Sequence, residues 1–248
     1  YGRIMERTRA QVKTAGLQSK ELKRFSRYFL TTALPKPSRL KLGAHLIRIY
    51  QRFGLQKLLR LSRLLHLVPG GVASLESQLP ALSKKFFTPT DVTHPAQGEK
   101  KMTVALLSGC VMPLMQGPTM EATVRVLTRN GCDVIVPKGQ GCCGALNTHA
   151  GDMTNSRAMA RTNIDTLMAA GVEQIITASA GCGSSMKEYA ELLKDDTEYR
   201  DKANQFSAIT KDVTEFLAEL PLIPPETTIT RRITYQDPCH LALSLIPI

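Results

Sequence analysis

The hydrophobic pattern changes character part-way along the chain. Through residue 87 it is helical. Over 19–35, apolar Leu22, Phe25, Phe29 and Ala33 recur at steps of three and four while Lys20, Lys23, Arg24 and Arg27 take the other side. A second helix is expected from Pro37 and Ser38 through Leu46, Ile49, Tyr50 and Phe53, with Gly54 as a break. A third, over 55–68, places Leu58, Leu61, Leu64, Leu65 and Val68 on one face and Lys57, Arg60 and Arg63 on another, until Pro69-Gly70-Gly71 stops it. Residues 88–100 read as a linker. Beyond it, short apolar runs alternate with helical segments: a strand over 102–107, a helix over 118–130 with Met120, Val124 and Leu127 inward, and a strand over 134–136. A glycine-rich loop over 139–144 follows, then a helix over 154–170, a strand over 174–178 and a helix opening right after Cys182. Strand and helix in alternation predict an α/β fold, an N-terminal helical region followed by a parallel sheet with helices on both faces. The expected domains are a basic helical region (1–87), the linker (88–100), the sheet domain (101–230) and the truncated start of a second repeat (231–248).

The candidate chemistry lies at the strand ends. Cys110 follows the first strand, Cys142 and Cys143 stand side by side with 31 residues between Cys110 and Cys142, and Cys182 follows the third strand, each flanked by glycine. In open parallel sheets ligands gather at the carboxyl ends of the strands, so these positions can converge on one edge. Four soft thiolates on backbone that glycine lets wrap closely match the ligand count of an iron–sulfur cubane. Structural zinc usually draws on two Cys-x-x-Cys knuckles, which are absent here. A vicinal disulfide at Cys142 and Cys143 is a further alternative. The tail repeats the opening: 231–236 reads as a strand leading to Asp237-Pro238-Cys239-His240, so Cys239 is expected to open a second repeat beyond this chain. Cys132 begins a strand and reads as a small buried hydrophobe, and Met112, Met115 and Met120 as core filling. His149, near the cysteine pair, is a candidate to hydrogen-bond a cluster sulfur, to ligate where one cysteine is spare, or to serve in a loop or helix cap. Asp237 and His240 fit a turn and a site rim.

Charge separates the two parts. Residues 1–100 hold 19 Lys and Arg against 5 Asp and Glu, a net +14, whereas 101–248 hold 13 against 16, a net −3. A basic amphipathic stretch packs on its own domain or docks on a membrane surface or partner. With aromatics at 5% and no reader motif, nucleic acid is set aside. No run of 18 apolar residues occurs and no secretory signal order is visible, so a cytoplasmic protein is expected, with peripheral contact at the inner membrane face as an option. Six cysteines in 248 residues are too few for a disulfide scaffold and suit metal binding in a reducing compartment.

Residues 101–240 resemble the CCG cysteine-rich domain family of heterodisulfide reductase subunits and of glycolate oxidase iron–sulfur subunits. The resemblance rests on Leu107-Ser108-Gly109-Cys110, Gly139 to Leu146 around the cysteine pair, Ser179-Ala180-Gly181-Cys182-Gly183, and Tyr235 to Ala242 around Cys239. Tyr1-Gly2-Arg3 looks like the sequence that follows a ferredoxin-type Cys-Pro run in that family, which implies two cubane motifs upstream. The resemblance implies an electron relay passing electrons from an FAD-binding subunit that oxidises glycolate or another 2-hydroxy acid towards a membrane quinone. The implied ligands are Cys110, Cys142, Cys143 and Cys182, with Cys239 in the second repeat. Where five-cysteine members have Cys-x-x-Cys at the third site, this chain has Ser185, which favours a [4Fe–4S] centre over a noncubane cluster. Zinc, known in some relatives, or a dithiol/disulfide couple at Cys142 and Cys143 is the alternative.

Overall fold

The structure, a computed structural model, describes residues 2–16, 28–62, 64–67, 72–228, 230–236 and 238. Met102–Leu107 (β1) is apolar at almost every position, which suits a central strand covered on both faces. It pairs in parallel with Cys132–Ile135 (β2) on one side and Gln174–Thr177 (β3) on the other, and β3 pairs in parallel with Thr210–Asp212 (β4). The spatial order is β2-β1-β3-β4. Side chains alternate along β1. Val104 and Leu106 join Met120, Val124 and Leu127 of Gly117–Arg129 (α6) and Phe216 of Val213–Ala218 (α12). Ala105 and Leu107 join Ala160, Ile164 and Leu167 of Met153–Met168 (α8) and Phe206 of Arg200–Ala208 (α11). Helices therefore cover both faces of the sheet. The edge at β2 is closed by the 88–100 segment: His94 exchanges two backbone hydrogen bonds of 2.8 Å with Val134, and Ala96 N–H donates to Asp133 Oδ1 at 2.8 Å. Covering a strand edge this way removes unpaired backbone groups.

Upstream lie Gly2–Thr14 (α1), a π-helical turn at Phe29–Ala33, Pro37–Arg52 (α2), Leu55–Ser62 (α3), a 3-10 turn at Leu64–Leu67 and Val72–Ser77 (α4), and the short helix Met112–Met115 (α5) follows β1. Gly54, at φ +74°, makes the break between α2 and α3. Glu76 gathers this region, accepting from Tyr50 at 3.1 Å, Gln56 at 2.9 Å and Arg60 at 2.9 Å. Arg48 ties α2 to the following segment through Lys84 O at 2.8 Å and the Phe86 ring at 4.3 Å.

Three expectations are corrected. The helix over 55–68 breaks at Ser62, where a 3-10 turn takes over, and the part of the 19–35 helix over 19–27 lies outside the described residues. The helix expected after Cys182 starts earlier: Ala180–Lys187 (α9) places Cys182 in its first turn. Residues 231–236 are irregular instead of a strand; Ile233 and Tyr235 are 81% and 72% exposed, and no strand among the described residues pairs with them. A strand without a neighbour has no ladder to hold it. Asp237, Cys239 and His240 lie outside the described residues.

Candidate metal centre

The crossover from β1 to β2 runs one way along the sheet and the return to β3 the other, so β1 and β3 flank a topological switch point, where open parallel sheets form a crevice. Cys110 leaves the end of β1 and Cys182 follows β3 into α9. The pair Cys142 and Cys143 comes from the loop after β2, just before Ala145–His149 (α7). All four line one cavity of about 320 Å³ with an otherwise largely apolar wall that includes Leu107, Met112, Met120 and Leu146. Cys142 and Cys143 are buried, and Cys110 and Cys182 half-buried. All four thiols are free.

The sulfurs interact in a chain, Cys110 with Cys142, Cys142 with Cys143, and Cys143 with Cys182. Hydrogen bonds from Cys110 and Cys143, joined by Gly144 N–H at 3.5 Å, hold the Cys142 thiol down at about 3. Cys182 is held below its ordinary value by the Cys143 hydrogen bond and by Ser179. Donating to these neighbours, together with burial, pushes Cys110 and Cys143 up. Negative sulfurs in so small a volume repel one another, which adds to holding the protons on Cys110 and Cys143. Among the described residues no three His, Cys, Asp or Glu form, as they stand, a group that would hold a metal ion.

The cysteine loop is fixed by two fully buried side chains that sequence reasoning missed. Asn163 of α8 accepts from Gly141 N–H at 2.9 Å and donates to Cys142 O at 2.9 Å and to Tyr189 Oη at 3.2 Å. Tyr189, opening Tyr189–Leu192 (α10), donates to Cys143 O at 2.7 Å. Burial pushes its phenol well above the ordinary 10, so it remains a donor. Gln140 joins the same loop to β1, accepting from Ser108 N–H at 2.6 Å and donating to Leu106 O at 3.2 Å. Gly109 and Gly144 adopt φ of +68° and +83°, and a Cβ on Gly144 would sit 3.0 Å from Ser156 Oγ.

Upstream segments roof the site. Leu34, fully buried, packs with Cys142 and Met159, and Leu30 O accepts from Asn147 at 3.2 Å. Helix α1 lies against Gly151: Arg9 donates to His149 O at 2.8 Å and Lys13 pairs with Asp152 at 3.3 Å. His149 lines the cysteine cavity, but its Nδ1 is 2.8 Å from Glu6 Oε1 and so turns to α1. Cys132, fully buried at the start of β2, and Met120, fully buried on α6, fill the core as expected. A larger cavity of about 430 Å³ between α1 and α8–α10 offers no comparable ligand set; its charged walls pair with one another, Glu191 with Arg7 at 3.2 Å and with Lys194 at 3.0 Å.

Residues 104–187 match the family model of the CCG cysteine-rich domain. These residues form a CCG domain. Residues 21–79, upstream of it, match the linker region of the glycolate oxidase iron-sulfur subunit. The whole chain is similar to the probable glycolate oxidase iron-sulfur subunit of Bacillus subtilis, 35% identical over 97% of this chain and 55% of that one. It is also similar to the glycolate oxidase iron-sulfur subunit of Escherichia coli, 38% identical over 57% of this chain and 35% of that one. Lactate utilization protein A of Bacillus licheniformis is 31% identical over 56% of this chain and 58% of that one. The chain spans about half the length, or less, of the first two of these relatives. No solved structure matches it. In the CCG domain the named cysteine pair is the one that Asn163 and Tyr189 hold by its carbonyls.

Proposed function

We propose that this chain is the iron–sulfur electron relay of a 2-hydroxy-acid oxidoreductase, holding a [4Fe–4S] cluster on Cys110, Cys142, Cys143 and Cys182. The observation that carries the reading is the convergence of four free thiols from three strand ends on one cavity. The donor set fits the group: soft sulfur ligands, an apolar wall that limits water, and a cavity with many times the room one water needs. Four thiolates drawn from three separate stretches of chain, with no Cys-x-x-Cys knuckle, suit a polynuclear core with one thiolate per iron. Once bound, the cluster supplies a one-electron redox centre. The chain's own residues fix the ligand loop through Asn163 and Tyr189, direct Gly144 N–H at Cys142 sulfur, and place Cys182 at the positive end of α9.

The names of the relatives support glycolate or lactate as the acid class, and the relay would receive electrons from an FAD-binding partner and pass them towards the quinone pool on the cytoplasmic side of the membrane. Cys239 would belong to the second repeat. Elemental analysis of anaerobically purified full-length protein tests the reading. Iron and sulfide with absorbance near ~400 nm are expected, and Cys143→Ser should remove both. A colourless protein with one zinc, or with a readily alkylated dithiol, would put the zinc or dithiol module in its place.

A further inference from the structure

Helix α2 has apolar residues on two opposite faces. At 100° per residue, Leu40, Ala44 and Ile47 face inward, where Ala44 is 5% exposed and Leu40 packs beside Leu34 and Cys142. Leu42, Leu46, Ile49 and Phe53 form a second narrow row on the far side, 50–73% exposed. A helix resting on a domain needs one apolar stripe, and its other face is ordinarily polar. After the turn at Gly54, α3 continues in the same manner, with Leu58 at 63% and Leu61 at 83% exposure. The exposed charge around these residues is basic: between Tyr28 and Leu75 there are eight Lys and Arg and no Asp or Glu, and the nearest acid along the chain, Glu76, is buried against Arg60. Lys41, Arg52 and Lys57, next to the outward rows, are exposed.

We propose that this face docks the protein on an anionic lipid bilayer, with the outward leucines and Phe53 entering the acyl boundary and the flanking lysines and arginines on the headgroups. Large aliphatic side chains between cations, with no acid among them, meet the two demands of an interfacial helix, apolar area to bury and attraction to negative headgroups. A protein partner on this face would have to bring both an apolar core and an acidic rim. The proposal deepens the relay reading, which it rests on for its purpose, by giving the relay a position at the membrane that holds the electron acceptor. Bilayer binding itself requires no cluster, so it is measured separately.

Flotation of the full-length protein with vesicles of phosphatidylcholine alone, or mixed with phosphatidylglycerol, tests it. Binding is expected only with phosphatidylglycerol, weakening at least about tenfold between ~0.1 and ~0.5 M salt as the charges are screened. Leu58→Glu/Leu61→Glu should cut binding by about tenfold or more with the circular dichroism and metal content unchanged. Lys41→Glu/Lys57→Glu should weaken binding to the anionic vesicles while leaving the fold intact. Three results would overturn the proposal: no flotation with either vesicle, equal flotation with both that the variants leave untouched, or unfolding of the leucine variant, which would mean that the rest of the protein covers this face. Retention of an acidic protein on the face in the absence of vesicle binding would likewise replace lipid with a protein partner.

Discussion

Tyr189→Phe isolates the contribution of one buried hydroxyl to the cysteine loop. The ring is fully buried and stacked on Phe206 with centroids 5.3 Å apart, contacts that phenylalanine keeps. What goes is the 2.7 Å hydrogen bond to Cys143 O and the acceptor for Asn163 Nδ2 at 3.2 Å. Removing one partner of a buried hydrogen bond costs about 1–3 kcal/mol, because the group left behind has lost water as well as its partner. If the metal escapes by opening this loop, that cost appears as a release rate roughly 5- to 150-fold faster, at 1.4 kcal/mol per factor of ten. The assay is anaerobic bleaching of the loaded protein by a chelator, run beside chemical denaturation of the same samples. Asn163→Leu, which breaks the bonds to Gly141 and Cys142 as well, should release metal faster still, and the double variant should fall short of the sum because the two side chains share a hydrogen bond. The reasoning fails if Tyr189→Phe lowers global stability by the expected amount while its metal leaves at the wild-type rate. The hydroxyl would then stabilise the domain without holding the loop.

Two further substitutions test the upstream region. Glu76 is held below its ordinary 4.5 chiefly by the Arg60 hydrogen bond, then by Gln56, against the opposing effect of burial, with Tyr50 adding to the lowering. A depressed carboxylate contributes stability that is present above its unfolded value and lost as pH falls through the folded one. The wild-type helical region should therefore loosen in acid, while Glu76→Gln should be weaker at neutral pH and lack that acid loss; a wild-type unfolding profile flat from roughly pH 6 to pH 3 refutes this. Gly151 sits at φ +72°, and an added Cβ would come within 2.6 Å of Ala10 N and 2.7 Å of Arg9 C. Gly151→Ala should therefore lift α1, breaking the Arg9 and Lys13 contacts, and expose α1 to trypsin several-fold faster with the sheet's circular dichroism unchanged; equal cleavage rates would show that α1 does not bear on this glycine.

What the sequence disclosed and what it hid follow from the range of the forces involved. β1 and α6 were readable because the burial of each is written in its own periodicity, a continuous apolar run and a three-four repeat of Met120, Val124 and Leu127. The gathering of the cysteines was readable because each follows a strand of a parallel sheet, whose carboxyl ends share one edge. β4 escaped because three residues, Thr210, Lys211 and Asp212, are too few to show a period. The helix after it did leave a signal: Asp212 and Glu215 form a capping box, with Thr214 N–H donating to Asp212 Oδ1 at 2.9 Å. Asn163 and Tyr189 left none. Each sits on a helix as an ordinary polar or aromatic residue, and only the packing of α8 and α10 against the loop brings them to the carbonyls they hold.

That packing also explains why the basic region and the CCG domain read as separate units in sequence yet meet at the cysteines. A cavity at the end of a parallel sheet is open to solvent unless something outside the β–α repeat covers it. Here the π-helical turn at 29–33 supplies Leu34 and a carbonyl for Asn147, and α1 closes on the far end of α7 through Arg9 and Glu6. The cover rests on Cys142, which packs with Leu34, and on the backbone that follows the cysteine pair. A displacement of the upstream helices therefore reaches the cysteine loop directly at Cys142 and through α7, whose residues run from Ala145 directly after Gly144. The same helices carry the outward basic face, so contact there and the setting of the cysteines are mechanically joined within one run of chain.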